Sequence, residues 1–453
     1  MSYKHWFIVV SLLLGSCVYS SGQVINTIAG NGSIGYAGDS NLASMAQLNA
    51  LGVTVAPDGE IYIPDAANNR VRKINLQDTI YTVAGTGTAG YNVDSGDALT
   101  TLLYNPTSVA FDTAGNMYIA DQRNQRVRKV DVAGTMTVIA GTGITGYSGD
   151  DSAAVNAKLN NPVGLAADTF GNIYIADYGN NRIRKVSATG KMTTVAGTGA
   201  PGHTGDGGLA IAATLDTPTS VAVDLAGNLY IADRGNNCIR KVDTADSISN
   251  FAGSGVGTYG FGGDNGPATG AMLAHPYGVA VDKNGNVYIA DEENQRVRKV
   301  NASGMISTIA GSGTLSFCGD GGDPLLACLN HPKGVATDDT GNVYIADAFN
   351  NRIRKVTAPL AVHSLNRGES TLRLYPNPAT GSFTVEGYLK TTDENVAVQL
   401  SDVLGRNLME THTSAPGGRV RLEVRDLQHV AAGAYLLRLV TDTERKSVVV
   451  KLQ

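Results

Sequence analysis

Aromatic residues at a regular spacing are the first feature of this sequence that could do chemistry. Each stands six residues after the glycine of an Ala-Gly pair, at Tyr36, Tyr91, Tyr147, His203, Tyr259 and Phe317. Such rings could stack against a sugar polymer or a peptide. Alternatively, each ring fixes its own loop, and the aspartates that follow cap a short helical turn, at Asp39, Asp150, Asp206, Asp264 and Asp320. In the fifth copy Phe261 begins this motif after a two-residue insertion.

A second set of candidates follows a recurring Tyr-Ile-Ala/Pro-Asp tetrad. The two residues after each tetrad differ from copy to copy, and the large or polar ones are Gln122, Arg123, Tyr178, Arg234, Glu292, Glu293 and Phe349. Variable loop positions on a repeated scaffold are where binding residues usually lie, so we interpret these as candidate ligand contacts. The alternative is that exposed loops vary because nothing constrains them.

The sequence contains only weak candidates for a metal site or a cofactor site. His275 and His331 precede Pro276 and Pro332 at matching positions of two copies and could bind a metal as a pair, but Asn and Thr at the equivalent positions favour a polar turn. Gly-x-Gly-x-x-Gly matches lie between repeats rather than at the start of a helix, so they do not indicate a dinucleotide site. We expect no cofactor and no metal ion.

The cysteines and a repeated basic segment are best interpreted as structural features of the fold. Cys318 and Cys328 share one loop and could form a disulfide or remain two separate buried thiols, whereas Cys238 replaces an arginine that the other five copies carry. Each tetrad aspartate is followed by a segment such as Arg70-Val71-Arg72-Lys73. We interpret this as an Asp–Arg pair that ties neighbouring strands and sets their register.

Composition excludes several classes of protein. The 453 residues include 55 glycines, only 17% are charged, and the net charge is -5. Nucleic-acid binding needs a basic surface, which this balance does not indicate. A hydrophobic fraction of 42% excludes a disordered chain, and the glycines show no collagen period.

The repeats predict the architecture. Successive tetrads end 56 or 58 residues apart, and six copies are present. Each copy contains four short strands separated by turn residues, which is typical of a β-propeller blade. In the third copy we expect these strands at 164–167, 173–176, 182–186 and 192–196. The sixth copy lacks its fourth strand, and an unpaired strand stands at 24–30. We therefore expect an all-β fold, a six-bladed β-propeller at 23–358 closed by its N-terminal strand.

The units Gly-Asn-Val-Tyr-Ile-Ala-Asp and Asn-Gln-Arg-Val-Arg-Lys-Val at 285–300 resemble NHL-repeat propellers. The histidine of that family's name is Asn or Gln here, which we interpret as a structural turn substitution. The resemblance implies the fold and leaves the function open.

Both ends of the chain indicate export. Residues 1–22 look like a cleaved signal peptide, with a lipoprotein signal at Cys17 as the alternative, and no segment is long enough to span a membrane. After a linker at 359–371, the motifs Leu374-Tyr375-Pro376-Asn377-Pro378 and Gly433-Ala434-Tyr435-Leu436 resemble the C-terminal sorting domain of type IX secretion cargo from Bacteroidota. That resemblance covers 372–453, a small β-sandwich, and implies passage through the type IX machinery to the cell surface or medium.

Together these features predict a monomeric binding module for an extracellular glycan or protein, with the type IX machinery as its export partner and no nucleic acid as a partner. The alternative is a propeller enzyme, a lyase or hydrolase, with its active site at the central channel.

Overall fold

The computed structural model describes residues 23–255, 258–358, 373–375, 382–388, 396–402, 406–414, 419–425, 430, 433–440 and 445–452. The signal peptide expected at 1–22 and the linker expected at 359–371 lie outside these residues. The chain divides into two compact units, Met1–Ala361 and Val362–Gln453.

The first unit contains six antiparallel sheets, each built from one sequence repeat, as the 56-residue period predicts. The first strands are Thr54–Val55, Pro106–Phe111, Pro162–Ala167, Pro218–Val223, Pro276–Val281 and Pro332–Thr337. The second strands carry the tetrads at Ile61–Asp65, Met117–Asp121, Ile173–Asp177, Leu229–Asp233, Val287–Asp291 and Val343–Asp347. The third strands are Arg70–Ile74, Arg126–Val130, Arg182–Val186, Cys238–Val242, Arg296–Val300 and Arg352–Val356. The outer strands are Ile80–Ala84, Thr135–Ala140, Met192–Ala196, Ile248–Ala252, Met305–Ala310 and, from the N-terminal end, Ile25–Ala29. Two sheets gain a short fifth strand, Ser95–Asp97 and Gly266–Pro267.

The N-terminal strand closes the ring, as the sequence predicts. Ile25–Ala29 pairs with Arg352–Val356, with Ile25 opposite Val356, and so completes the sixth sheet with a strand from the other end of the propeller. Ile25 is fully buried in the core shared with the fifth blade. The closed ring leaves no sheet edge between the last blade and the first.

Short turns place two kinds of loop on one face of the propeller. A single 3-10 turn follows each tetrad, at Ala66–Asn68, Gln122–Asn124, Tyr178–Asn180, Arg234–Asn236, Glu292–Asn294 and Ala348–Asn350. The connectors between blades carry further turns at Ala43–Met45, Ala154–Asn156, Ala210–Ala212, Ala268–Gly270 and Pro324–Leu326. Asn180 Nδ2 donates one hydrogen bond to Asp177 and another to the Gly146 carbonyl of the preceding connector. The tetrad turns and the connectors therefore meet on the same face.

Glycine lets the first strands approach each other around the central axis. A Cβ atom at Gly278 would lie 2.2 Å from the Lys333 carbonyl oxygen of the next blade, and one at Gly164 would lie 2.6 Å from that of Thr219. Side chains at these positions would push neighbouring blades apart, so the narrow central channel depends on them.

The second unit is a small β-sandwich. One sheet contains Arg373–Tyr375, Phe383–Tyr388 and Arg419–Val424, and the other contains Val396–Ser401, Asn407–Thr413, Gly433–Val440 and Arg445–Leu452. Phe383, Val398 and Leu437 belong to one buried core to which both sheets contribute. The motif residues at 376–381 and 403–405 lie outside the described residues.

Candidate functional site

A buried arginine lies near the outer edge of every blade, at Arg72, Arg128, Arg184, Arg240, Arg298 and Arg354. In the third blade, Arg184 lies between two carboxylates, with Nη2 2.6 Å from Asp150 of the connector and Nη1 3.3 Å from the tetrad Asp177. It also donates to the backbone carbonyls of Ser148 and Lys158. The basic strand therefore holds a structural Asp–Arg pair.

The two carboxylates beside Arg184 have pKa values shifted in opposite directions. Burial raises the pKa of Asp177 to about 6, although hydrogen bonds from Asn180 and Asn160 partly offset it. Burial also acts on Asp150, but hydrogen bonds from Thr194 and Tyr147 and the charge of Arg184 outweigh it, so its pKa is lowered.

Most of the repeated aromatic residues pack against a second arginine, which lies two residues before the buried arginine on the third strand of the blade. The Arg182 guanidinium carbon lies 3.7 Å from the centre of the Tyr147 ring, and the Tyr147 hydroxyl donates to Asp150. The same stack, at 3.6 to 3.8 Å, occurs for Tyr36, Tyr91, Phe261 and Phe317 over Arg70, Arg126, Arg296 and Arg352. Because an arginine already covers one face of each ring, this geometry favours the structural interpretation.

The expected helix caps are wrong. The residue that precedes the 3-10 turn Ala154–Asn156 is Ala153, and it makes no side-chain cap. The aspartates expected to cap these turns bind the buried arginines instead, at Asp39, Asp150, Asp206, Asp264 and Asp320. A buried guanidinium attracts a carboxylate more strongly than the backbone of a one-turn helix does.

A central channel of about 590 Å³ runs between the first strands of the six blades. At one position near the face that carries the tetrad turns, four blades contribute a threonine or an aliphatic residue, Leu51, Thr107, Val163 and Thr219, and the other two contribute Tyr277 and Lys333. This end of the channel is therefore asymmetric, although the fold around it is repeated.

Charged and aromatic side chains from three blades meet at this end of the channel. We call Arg234, Tyr277, Glu292, His331, Lys333 and Phe349 the mouth cluster. Glu292 is buried; its carboxylate lies 3.2 Å from Arg234 Nη2, 3.5 Å from Lys333 Nζ and 3.8 Å from His331 Nδ1. Lys333 Nζ also lies 4.8 Å from the Tyr277 ring centre and 5.6 Å from that of Phe349.

The pKa of Tyr277 is raised, first by burial and then by the charge of Glu292; the charge of Arg234 opposes the rise and Tyr178 of the third blade adds to it. The Phe349 ring packs against His331 with a centroid distance of 4.4 Å and is 57% exposed. The cluster thus presents a neutral phenol, two cations and an exposed aromatic ring around one buried carboxylate.

Comparison with known proteins identifies the repeats and the tail. NHL repeat matches residues 159–186 and 215–242, and Teneurin NHL domain matches 258–317 and 313–403. Secretion system C-terminal sorting domain matches 373–452. This chain carries NHL repeats and a type IX secretion sorting domain. The NHL propeller is therefore exported to the cell surface or the medium.

Relatives of the NHL propeller are distant. Teneurin-1 of Gallus gallus is 29% identical over 376 residues, and Teneurin-4 of Mus musculus is 30% identical over 372; these matches cover 74% and 73% of this chain but 13% of each teneurin. A Bacteroides thetaiotaomicron protein of unknown function shares the fold at a TM-score of 0.56 and 20% identity, over 74% of this chain and 76% of that one. An auxiliary nutrient binding protein from Bacteroides ovatus matches at 0.53 and 17%, with the same coverage.

The NHL propeller brings together only some of the residues that the sequence singles out. Arg234, Glu292 and Phe349 belong to the mouth cluster. Gln122 accepts a hydrogen bond from Asn105 of its own blade, and Arg123 donates its backbone N–H to Tyr104. In the described part of the chain, neither contacts the mouth cluster.

The sequence does not single out two residues of the mouth cluster, Tyr277 and Lys333, as candidate site residues. Both lie on first strands, where a residue is expected to pack into the scaffold. Their signal is a departure from the threonine or aliphatic residue that the other four repeats carry at the same position.

The two candidate histidines face different carboxylates. His275 Nδ1 lies 3.9 Å from Glu293, and His331 Nδ1 lies 3.8 Å from Glu292. Tyr259, which the insertion displaces from the arginine stack, packs edge-on against His275 with a centroid distance of 5.4 Å. Among the described residues, no group of three or more His, Cys, Asp or Glu side chains could hold a metal ion. No helix among them is long and apolar enough to cross a membrane.

The cysteines of the NHL propeller occupy two different environments. Cys318 and Cys328 form a disulfide within the connector that leads into the sixth blade. Cys238 is a buried free thiol, and its burial raises the pKa of the thiol well above the ordinary value.

His203 lies in the same blade as Cys238, at the position where other blades carry tyrosine or phenylalanine. Its Nε2 is buried without a hydrogen-bond partner in the described structure. Burial, followed by the charge of Arg240, lowers the pKa of His203.

Proposed function

We propose that this protein is a secreted binding module that holds an extracellular glycan or protein at the mouth cluster. The observation that carries the proposal is the break in repetition at one end of the channel. After the tetrad, Ala66 and Ala348 stand where Arg234 and Glu292 stand in other blades. A ring that only spaced other domains would have no use for a buried charge cluster at one side of its channel.

The exposed side chains of the cluster suit a ligand with both apolar and polar surface. Phe349 offers an open aromatic face beside the charged groups, and Tyr259 offers a second on the neighbouring connector. Binding sites commonly combine such rings with a few converging polar groups. The likeness to an auxiliary nutrient binding protein shows the fold alone and agrees with a binding role.

The enzyme alternative has less support. Tyr277 and Lys333 are the ionisable side chains of the mouth cluster that line the channel, and the raised pKa of Tyr277 keeps its phenol protonated. A protonated phenol donates hydrogen bonds to a ligand and is a poor general base near neutral pH.

Thermal-shift measurements on the full-length protein test the proposal against neutral oligosaccharides, acidic oligosaccharides and a mucin-type glycoprotein. A ligand at ~100 times its dissociation constant adds about 2.7 kcal/mol to the free energy of unfolding. Phe349→Ala should weaken binding about two- to tenfold, because the lost ring contributes about 0.5–1.5 kcal/mol.

Arg123→Ala is the matched control, since Arg123 occupies the same repeat position in the second blade. Equal weakening by both variants, or no shift with any ligand, would contradict the mouth cluster as the binding site.

A further inference from the structure

We infer that the mouth cluster selects a negatively charged sugar, a carboxylate or sulfate ester that Lys333 and Arg234 hold together. This inference rests on the proposed function and names the class of its ligand. Charge, free hydrogen-bond donors and flanking rings support it independently.

The accessible charge of the mouth cluster is positive. Two cations and a histidine surround one carboxylate, and the side chains of Arg234 and Lys333 are 25% and 17% exposed, whereas that of Glu292 is 4% exposed. A solute at the mouth therefore meets the cations, while protein groups already neutralise Glu292. Glu293 of the same turn is 31% exposed, and its carboxylate lies 3.9 Å from His275 Nδ1.

The cations of the mouth cluster keep free donors. Among the described residues, Lys333 Nζ makes no hydrogen bond: its approach to Glu292 is 3.5 Å, and its other neighbours are the Tyr277 and Phe349 rings. Arg234 donates one hydrogen bond, from Nε to Glu292. Arg184, by contrast, donates five hydrogen bonds to two carboxylates and two carbonyls. Arg184 therefore uses all five of its donors, whereas Arg128, Arg240 and Arg354 each leave a buried Nε without a hydrogen-bond partner. The unused donors at the mouth differ from these because Arg234 and Lys333 are partly exposed, so a ligand can reach them.

The rings beside these donors favour a sugar over an acidic peptide. Phe349 is 57% exposed and its ring centre lies 5.6 Å from Lys333 Nζ, so a pyranose could pack against the exposed part of the ring while its charged substituent reaches the ammonium group. A glutamate or aspartate side chain would satisfy the donors but leave the ring face open to water. An acidic peptide is therefore the competing outcome of the test.

Calorimetric titration of the full-length protein measures the charge preference directly. The acidic probes are trigalacturonate, a hyaluronan tetrasaccharide, sialyllactose and a sulfated chondroitin tetrasaccharide. The neutral forms are the methyl esters of the first two, lactose for the third, and the desulfated methyl ester for the fourth; poly-glutamate is the peptide arm. We expect at least one acidic probe to bind about tenfold or more tightly than its neutral form, and the affinity to fall as salt is added.

The variant Lys333→Met keeps the unbranched stem and removes the charge. It should lose about tenfold or more in affinity for the acidic probe and change little for a neutral one. Gln122→Ala, in the second blade, is the control and should bind as the unaltered protein does. The unfolding temperature of each variant establishes that it is folded.

Each outcome separates the inference from the proposed function. Equal binding of charged and neutral sugars, weakened by Phe349→Ala, would overturn the inference and leave the binding module standing. Preference for poly-glutamate would also overturn it. Failure of all four acidic probes and their neutral forms to bind at millimolar concentration would overturn the inference, and failure of poly-glutamate and the mucin-type glycoprotein as well would overturn the proposed function.

Discussion

The outer part of each blade and the mouth of the channel use the same ion pairs in opposite ways. Arg184 near the outer edge is fully buried and uses all five of its donors, and four further blades repeat its pair of carboxylates. In the second blade Arg128 pairs with the tetrad Asp121 and donates to the Val93 carbonyl. Arg234 at the mouth shares one buried carboxylate with Lys333 and has no repeat equivalent. The comparison teaches that repetition marks the scaffold, and that a local loss of repetition marks the candidate site.

The largest expected effect comes from breaking the outer pair. Arg184→Met would leave Asp150 and Asp177 beside an apolar side chain, and unpairing a buried charge of this kind costs about 3–5 kcal/mol. Urea unfolding monitored by circular dichroism measures the loss. Arg123→Met, an exposed arginine, is the control and should stay within about 0.5 kcal/mol of the unaltered protein. A loss no greater than this in Arg184→Met would remove the scaffold role from the outer pair.

The opposite pKa shifts at the outer pairs predict a stability maximum in mildly acidic solution. Burial raises the pKa of Asp177 and of Asp291 to about 6, so between 3.8 and that value the folded state binds protons that the unfolded state has released. The free energy of unfolding therefore falls as the pH rises through this window. The lowered pKa of Asp39 and of Asp150 acts at lower pH: the stability that these groups contribute is lost as the pH falls below about 3.8.

Calorimetric scans of the unfolding temperature between about pH 3 and pH 8 check this prediction. The maximum should lie between about pH 4 and pH 5, and the Lys333→Met profile should run parallel to that of the unaltered protein. An unfolding temperature that climbs steadily from pH 5 to pH 8 would show that the buried carboxylates do not behave as their environment indicates.

Much of the scaffold could be predicted from the sequence because each blade is local. In the third repeat, strands expected at 164–167, 173–176, 182–186 and 192–196 are observed at Pro162–Ala167, Ile173–Asp177, Arg182–Val186 and Met192–Ala196. The helix caps were wrong because their outcome depends on a residue that is distant in the sequence, whereas the strands depend on local sequence. Asp150 lies four residues before the start of the turn it was expected to cap, but its partner Arg184 is 34 residues further along the chain.

The mouth cluster could be predicted only in part. Variation between repeats identified Arg234, Glu292 and Phe349, yet the contact between Arg234 and Glu292 joins residues 58 apart and follows from the packing of one blade beside the next. Lys333 occupies a strand position that is buried in the second, third and fourth blades, at Thr107, Val163 and Thr219, so its role emerges only when the strand is seen to line a channel.

A smaller effect is expected when the same substitution is made at the mouth. Arg234→Met removes one of two cations beside Glu292, and Lys333 remains 3.5 Å from the carboxylate. Because Arg234 is partly exposed and its partner keeps a second cation, the loss should be about 1–2 kcal/mol, well below that of Arg184→Met. Urea unfolding under the same conditions compares the two variants. Equal losses would erase the distinction between scaffold and site on which the proposed function depends.

The smallest effect concerns the fourth blade, where the repeat fails away from the mouth. Cys238 and His203 together replace the Arg–aromatic stack that the third blade forms from Arg182 and Tyr147. Gly255 is retained there, at the position whose counterparts elsewhere leave room for the guanidinium. The double variant His203→Tyr with Cys238→Arg should restore the stack. In a double-mutant cycle, the two changes should stabilise the fold by about 0.5–1 kcal/mol more than the sum of the single changes. A coupling energy of zero would mean that the ring and the arginine are fixed by their own strands rather than by each other, and that the repeated stack accompanies the fold without supporting it.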